Sequence, residues 1–316
     1  MSVNSDIKKL LLQGDNLNEA LIKKYEKQLV ALYQESLKNV RSEIANLFAK
    51  YGDEIDYSKV RGARLQGLQR EIFNELNKLK NSKEVIKEVV QRGHVESYSY
   101  TSFALERTLQ VDLNFSMLPS NAIQAATFNP YDKIKWSTRN LVNIESMKNS
   151  VRKEVTKGLI NGSGYGDIAK KITQQLNIGA TKAVRIAWTE TARAQEAGRL
   201  ASIDESIGYS KEFGMQTKKV WNATLDGKTR PNHGAMDGVS TDDTGKFIFT
   251  TMDGTTLYVA GPHLTGTTDD IACRCYTSLE FDNIPPKVRR DNITKEVIPY
   301  KTYNEWKSAK LSKDEA

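Results

Sequence analysis

Apolar residues recur every three to four positions through most of the first 200 residues, and beyond about residue 208 the interval falls to two. A period near 3.6 suits a helix buried along one face, whereas a period of two suits a half-buried strand. The switch therefore predicts an α+β chain: a largely helical N-terminal region, then a small α+β domain with a short antiparallel sheet. The predicted division is a helical basic region over 1–180, a compact domain over 181–286 and a C-terminal tail over 287–316.

The first stripe follows Asp15 through Leu17, Leu21, Tyr25, Leu29, Leu32 and Tyr33, and Tyr51-Gly52-Asp53 breaks it. A second runs Leu65, Leu68, Ile72, Leu76 and Leu79, then Val85, Ile86 and Val89 after an Asn81-Ser82 restart that resembles an N-cap. Gly93 is read as its end. The stretch 95–128 is less periodic, with Pro119 and Pro130 as interruptions. Ser137 is placed as the cap of a helix with Leu141, Ile144, Val151, Val155 and Leu159 on its apolar face, stopped by the glycines at 162, 164 and 166. A short helix from Asp167 to Leu176 is separated by Gly179 from another over about 180–206. These stripes read as bundle core.

Beyond 208, Lys218 to Thr224 alternates as a strand and Leu225 to Lys228 reads as a turn. Phe247-Ile248-Phe249 and Leu257-Tyr258-Val259 flank Met252-Asp253-Gly254, a hairpin with an Asp-Gly turn. Ile271 to Phe281 supplies a further strand, and Pro285-Pro286 closes the domain. Tyr300, Tyr303 and Trp306 make the polar tail an interaction segment or packing arm.

Within this region, 221–275 concentrates groups able to carry chemistry. The protein has three histidines and two cysteines, and this segment holds His233, His263, Cys273 and Cys275. On a strand, Cys273 and Cys275 share one face with alpha carbons about 6.6 Å apart, which suits a disulfide poorly. With His233 and His263 they number four soft or borderline ligands, as in a closed structural zinc site. The spacing is not that of a common zinc module, and burial as small apolar thiols with no cofactor is the reading it favours. Asp226, Arg230, His233 and Asp237 invite a second reading, a histidine between carboxylates acting as general base with an arginine for phosphate. The same residues serve equally as hydrogen-bonding scaffolds for loops. No nucleophile motif or Walker loop accompanies them, so the structural reading carries more weight than that of a nucleic-acid hydrolase. On the preceding helix, Glu190 and Arg193 are spaced to pair, leaving Arg185 to lock that helix onto the cassette, or the three to line a polar groove.

These residues form an ordered pattern: Trp221-x4-Asp226-Gly227-x-Thr229-Arg230-x2-His233-x3-Asp237-Gly238, closing on Cys273-Arg274-Cys275. Upstream stand Arg185-Ile186-Ala187-Trp188-Thr189-Glu190-Thr191-x-Arg193 and Ala197-Gly198-Arg199, and downstream Tyr303-x2-Trp306. The pattern resembles the Mu F-like phage head morphogenesis family over roughly residues 150–306. Trp188 departs from it, since the family usually has arginine there. The resemblance implies a minor capsid protein acting near the portal inside the head, with portal, scaffold or major capsid protein as partners. It also implies contact with packaged DNA, ejection with it, and no established reaction. Some members carry toxin domains beyond this module, for which the thirty residues after Pro286 leave no room.

Charge agrees with a polyanion partner. Residues 1–200 hold 31 Lys/Arg against 22 Asp/Glu, and residues 201–316 hold 15 against 17, net charges of +9 and −2. The basic half is expected to bind double-stranded DNA without sequence preference. No run approaches the ~20 apolar residues of a membrane span, and Met1 to Asp6 lacks the basic and apolar parts of a secretory signal. The expected location is the host cytoplasm during assembly and then the virion, inside the capsid, with no membrane anchor.

Overall fold

A computed structural model describes residues 3–51, 62–110, 112–113, 115–128, 135–212, 214–224 and 228–282. Gly52, Asp53, Pro130, Leu225, Asp226, Gly227, Pro285-Pro286 and the tail 287–316 lie outside them, with the roles assigned to these positions. The fold is α+β as read: helices α1 (Val3–Tyr51), α2 (Gly62–Asn77), α3 (Ser82–Leu109), α4 (Ser120–Phe128), α5 (Trp136–Ile160) and α6 (Tyr165–Glu212) precede the strands. Then come β1 (Gln216–Asn222), the one-turn helix α7 (Pro231–Gly234), β2 (Phe247–Thr250), β3 (Thr256–Val259) and β4 (Tyr276–Asp282).

The chain forms two compact units, and α1, α3 and α6 each contribute residues to both. A boundary at 180/181 therefore falls inside α6. One unit comprises the described residues of Lys23–Glu88 and Ile134–Ala187. Its core draws Tyr33, Val40 and Ile44 from α1, Ile72 and Leu76 from α2, Met147, Val151 and Val155 from α5, and Ile172 and Leu176 from α6. Gly179 does not separate two helices here; α6 runs through it. A β-carbon at Gly179 would stand 2.6 Å from Met147 Sδ and 3.1 Å from the Tyr33 ring, and its carbonyl accepts a hydrogen bond from Asn143 Nδ2 at 2.9 Å. The glycine allows side chains to approach, and the helix tolerates its conformational freedom. A helix does restart at Asn81-Ser82: a 3-10 turn, Lys78–Asn81, leads directly into α3, and the Ser82 hydroxyl accepts from Asn140 Nδ2 at 2.9 Å. The cap proposed at Ser137 is corrected. Helix α5 starts at the buried Trp136, so Ser137 lies within its first turn.

The other unit comprises the described residues of Met1–Ile22, Val89–Lys133 and Trp188–Ala316. Helix α1 starts well before Asp15 and buries Ile7 and Leu11 there; further on, its stripe passes through Ile22, not Leu17, which is 57% exposed. Gly93 does not end α3. A β-carbon there would meet Thr191 Cγ2 of α6 at 2.7 Å, and one at Gly198 of α6 would stand 2.3 Å from the His94 carbonyl oxygen. The two glycines allow α3 and α6 to lie close, and His94 Nδ1 donates to the Ala194 carbonyl across the contact at 2.8 Å.

On these helices lies the antiparallel β1–β4 ribbon, registered from Gln216 opposite Asp282 to Asn222 opposite Tyr276. Leu279 and Phe281 of β4 enter the core formed by Ile7, Leu11, Leu105 and Ile203. The Asn4 amide clamps the strand edge by donating to the Phe281 carbonyl at 3.2 Å and accepting its N–H at 3.1 Å. A separate ribbon, β2–β3, is the predicted hairpin, with Gly254 at φ +87° in its turn. The predicted strand from Ile271 is shorter than expected. It begins at Tyr276, because Ala272 takes φ +55° and the chain before it is a 3-10 turn, Thr268–Asp270.

Candidate functional site

Strand β1 supplies the floor of the site. Trp221, fully buried, stacks on Phe249 with ring centroids 5.5 Å apart and planes at 6°, while Phe247 meets it edge-on at 5.4 Å. Backbone bonds from Trp221 N–H to the Val239 carbonyl and from Gly238 N–H to the Trp221 carbonyl, each 2.9 Å, fasten the segment after α7 beside β1. Pro231 opens α7, where a missing N–H costs nothing. The turn places His233 edge-on to both Trp221 and Phe249. Asn232 fixes it, donating to the Thr250 carbonyl at 3.1 Å and to Asp269 Oδ1 at 2.9 Å.

The opposite wall is the loop leading into β4. Asp270 organises it by accepting from Thr265 N–H at 3.2 Å, Thr265 Oγ1 at 2.8 Å and Gly266 N–H at 2.9 Å. Arg230 reaches across to donate to the carbonyls of Asp269 and Ile271 at 3.1 and 2.6 Å. The loop then delivers Cys273 and Cys275 to one side, as the sequence predicts, though from irregular backbone instead of a strand. Both thiols are free and buried. Each sulfur lies 3.4 Å from the same atom, His233 Nδ1. The other imidazole nitrogen, Nε2, lies 3.6 Å from Asp269 Oδ1, with both side chains almost wholly buried. The Cys273 sulfur beside it and then burial push the Cys275 thiol well above its ordinary value, against smaller lowering contacts from His233 and Trp221.

Several expected partners stand elsewhere. His263 does not join the His233, Cys273 and Cys275 cluster. Its Nε2 lies 2.9 Å from the Cys275 carbonyl, where it braces the loop backbone. Asp237 accepts from the Ala223 N–H at 2.9 Å and holds a loop, so it is not a carboxylate for His233. Asp226 lies outside the described residues. Arg274 is exposed, and its carbonyl accepts from Thr224 Oγ1 at 3.0 Å. Glu190 and Arg193 pair at 2.9 Å as predicted, with Arg193 also donating to the Ala126 carbonyl. Arg185 is exposed on α6 and belongs to the other unit.

The model of the family described as Phage Mu protein F like protein matches residues 149–278. The chain is similar to Minor head protein GP7 of Bacillus phage SPP1, with 28% identity over 310 residues that cover 94% of this chain and 96% of that protein. It is also similar to NAD(+)–arginine ADP-ribosyltransferase EFV of Enterococcus faecalis, 28% identical over 306 residues, which are 95% of this chain and 60% of that protein. The chain thus spans three-fifths of the length of the Enterococcus relative. No solved structure matches.

The matched segment also uses residues that sequence reasoning missed. Asp269, the carboxylate facing His233, sits in a Thr- and Asp-rich stretch that reads as an ordinary turn. Arg199, only 4% exposed, fastens α6 to α1 and β4. Its guanidinium pairs with Asp15 of α1, lies 3.5 Å from Glu196 and stands 5.1 Å over the Tyr276 ring of β4. Burial raises the Glu196 carboxyl above its ordinary range, against the lowering charge of Arg199. The Ala197-Gly198-Arg199 triplet was the available signal. Its glycine gives the helices room and its arginine ties them to the strand.

Proposed function

We propose that this chain is a minor head protein of a tailed phage, acting in head morphogenesis as a structural component inside the capsid near the portal. The observation that carries this reading is the match to Minor head protein GP7, which is collinear over nearly the full length of both chains. The Mu F-like match over 149–278 supports the same role independently of the N-terminal half. Portal, scaffold or major capsid protein are its proposed partners, and assembly in the host cytoplasm with later ejection alongside the genome completes the proposed course.

Contact with packaged double-stranded DNA belongs to the same proposal. It is supported by the net +9 over residues 1–200. In one unit, exposed Lys38 and Arg41 border an open groove of about 370 Å³ together with Gln34 and Tyr165. Such contacts give phosphate-driven binding that weakens steeply with salt and reads no sequence.

The hydrolase reading has less support. His233 is 2% exposed, flanked by two sulfurs and two aromatic rings, and Asp237 is engaged with backbone. A general base must reach a substrate proton within hydrogen-bond distance, and this imidazole faces the interior. The transferase name of the Enterococcus relative belongs to a longer protein, of which two-fifths lies outside the match.

Coexpression with portal, scaffold and major capsid protein tests the proposal. Heads assembled with portal should retain the chain through sedimentation, and portal-less heads should lose it. Equal retention without portal overturns portal-proximal placement, and absence from both overturns the structural role. Titration of the full chain with random duplex should show affinity falling as salt rises. No binding at low salt overturns the DNA contact.

A further inference from the structure

The segment that matches the family model gathers, from α7 and from the loop before β4, three side chains that share one focus. His233 Nδ1 is 3.4 Å from Cys273 Sγ and 3.4 Å from Cys275 Sγ, and the ligand atoms of the three residues all lie within 4.8 Å of one another. One imidazole nitrogen offers a single proton or a single lone pair, so it cannot form a full hydrogen bond with both thiols at once. A metal ion changes that geometry. Zinc binds sulfur at about 2.3 Å and imidazole nitrogen at about 2.0–2.1 Å, so two vertices of its tetrahedron, one S and one N, are separated by about 3.5 Å. Both S···N distances fit that separation.

The surroundings fit a metal as well. A zinc-bound histidine ordinarily directs its second nitrogen at a carboxylate, which fixes ring orientation and tautomer. Here Nε2 of His233 faces Asp269 Oδ1 at 3.6 Å, and Asp269 is itself held by Asn232 at 2.9 Å and by Thr267 Oγ1 at 3.2 Å. Beside the three ligands lies a cavity of about 20 Å³, bordered also by Thr224, Lys228, Thr229, Arg230 and Arg274. That is room for one water-sized ligand, and three of the bordering residues are cationic.

We infer that His233, Cys273 and Cys275 bind one zinc ion, with Asp269 supporting the histidine and the fourth position open to water or a small anion in the cationic cavity. Binding releases the two thiol protons to solvent and leaves both sulfurs as thiolates. The ion clamps α7 to the loop before β4 and so joins the two ends of the cassette. The site differs both from the metal-free burial that the sequence favours and from the closed four-ligand arrangement that it offers as an alternative, because His263 supports the backbone and is not a ligand. This inference is independent of the head-protein role and fails or stands without it.

Metal analysis of the full chain, purified under reducing conditions, should find one zinc per chain. The His263→Ala variant should retain it, while Cys273→Ser and Cys275→Ser should lose it with helical circular dichroism unchanged. Asp269→Asn should weaken zinc by about 10–100-fold, the usual effect of removing such a carboxylate. Cobalt loading of the unmutated chain gives a readout that needs no variant. It should produce tetrahedral visible bands with thiolate charge transfer, and those bands should shift when imidazole is added at the open position. Failure to bind zinc, a cobalt spectrum lacking thiolate charge transfer, or loss of metal in His263→Ala overturns the assignment. Cobalt bands unmoved by imidazole overturn the open fourth position.

Discussion

Two glycines of the same helix should respond oppositely to one substitution. Gly198 and Gly208 both lie inside α6, and replacing glycine with alanine in a helix interior gains roughly 0.8–1.0 kcal/mol from the restricted backbone alone. At Gly208 nothing lies within 4 Å of the added β-carbon, so Gly208→Ala should stabilise the protein by about 0.5–1 kcal/mol. At Gly198 the methyl would stand 2.3 Å from the His94 carbonyl oxygen and 3.2 Å from its carbon, where ordinary contact begins at 3.4 Å. The obstacle is backbone and cannot rotate away, so α3 and α6 must separate by about 1 Å, and overpacking of this kind costs about 1–3 kcal/mol or more. Separation also stretches the bond from His94 Nδ1 to the Ala194 carbonyl, now 2.8 Å. The propensity gain does not cover both losses, and Gly198→Ala should destabilise by about 1–2 kcal/mol net. Urea unfolding followed by far-ultraviolet circular dichroism measures both, with the midpoint rising for one variant and falling for the other at similar slope. Equal or greater stability of Gly198→Ala refutes the close packing of these helices.

Three further outcomes follow from other parts of the same unit. Trp221→Ala should cost about 3–5 kcal/mol, because the ring is fully buried among Phe247, Phe249 and His233; a change below about 1 kcal/mol in denaturant unfolding contradicts that core. Arg199→Met should cost about 3–5 kcal/mol by leaving Asp15 and Glu196 without their shared cation. The same unfolding assay should find Glu196→Gln milder, since burial already pushes that carboxyl toward its neutral form. Burial lowers the His94 pKa below its ordinary 6.5, so the unfolded chain takes up the proton first. Its stabilising contribution is complete above about pH 6.5 and is lost as pH falls through the lower folded-state value. Melting temperature should therefore drop on acidification, and His94→Asn should flatten that acid limb; an unchanged acid limb in the variant removes His94 from the account.

Much of this was legible in sequence, and the failures have physical causes. Period alone separated helices from ribbons, and the Asp253-Gly254 turn located the hairpin. The concentration of histidine and cysteine located His233, Cys273 and Cys275, because such residues are scarce in this chain. Gly93 and Gly179 were misread because glycine both ends helices and admits close neighbours, and a single sequence does not distinguish the two. The ligand expected at His263 and the carboxylate found at Asp269 depend on how the loop before β4 folds. That loop is set by Asp270 and Arg230 bonding to backbone, which leaves no periodic trace. Arg199 was visible as part of a motif, but its partner Asp15 lies 184 positions away.

Quantitative mass spectrometry of purified heads tests the central claim most directly. Heads from the phage or prophage that encodes this chain, collected before and after DNA packaging, should both contain it at few copies relative to the major capsid protein. Its absence from both preparations, with the chain recovered only as free protein in the lysate, would contradict a role as a minor head protein.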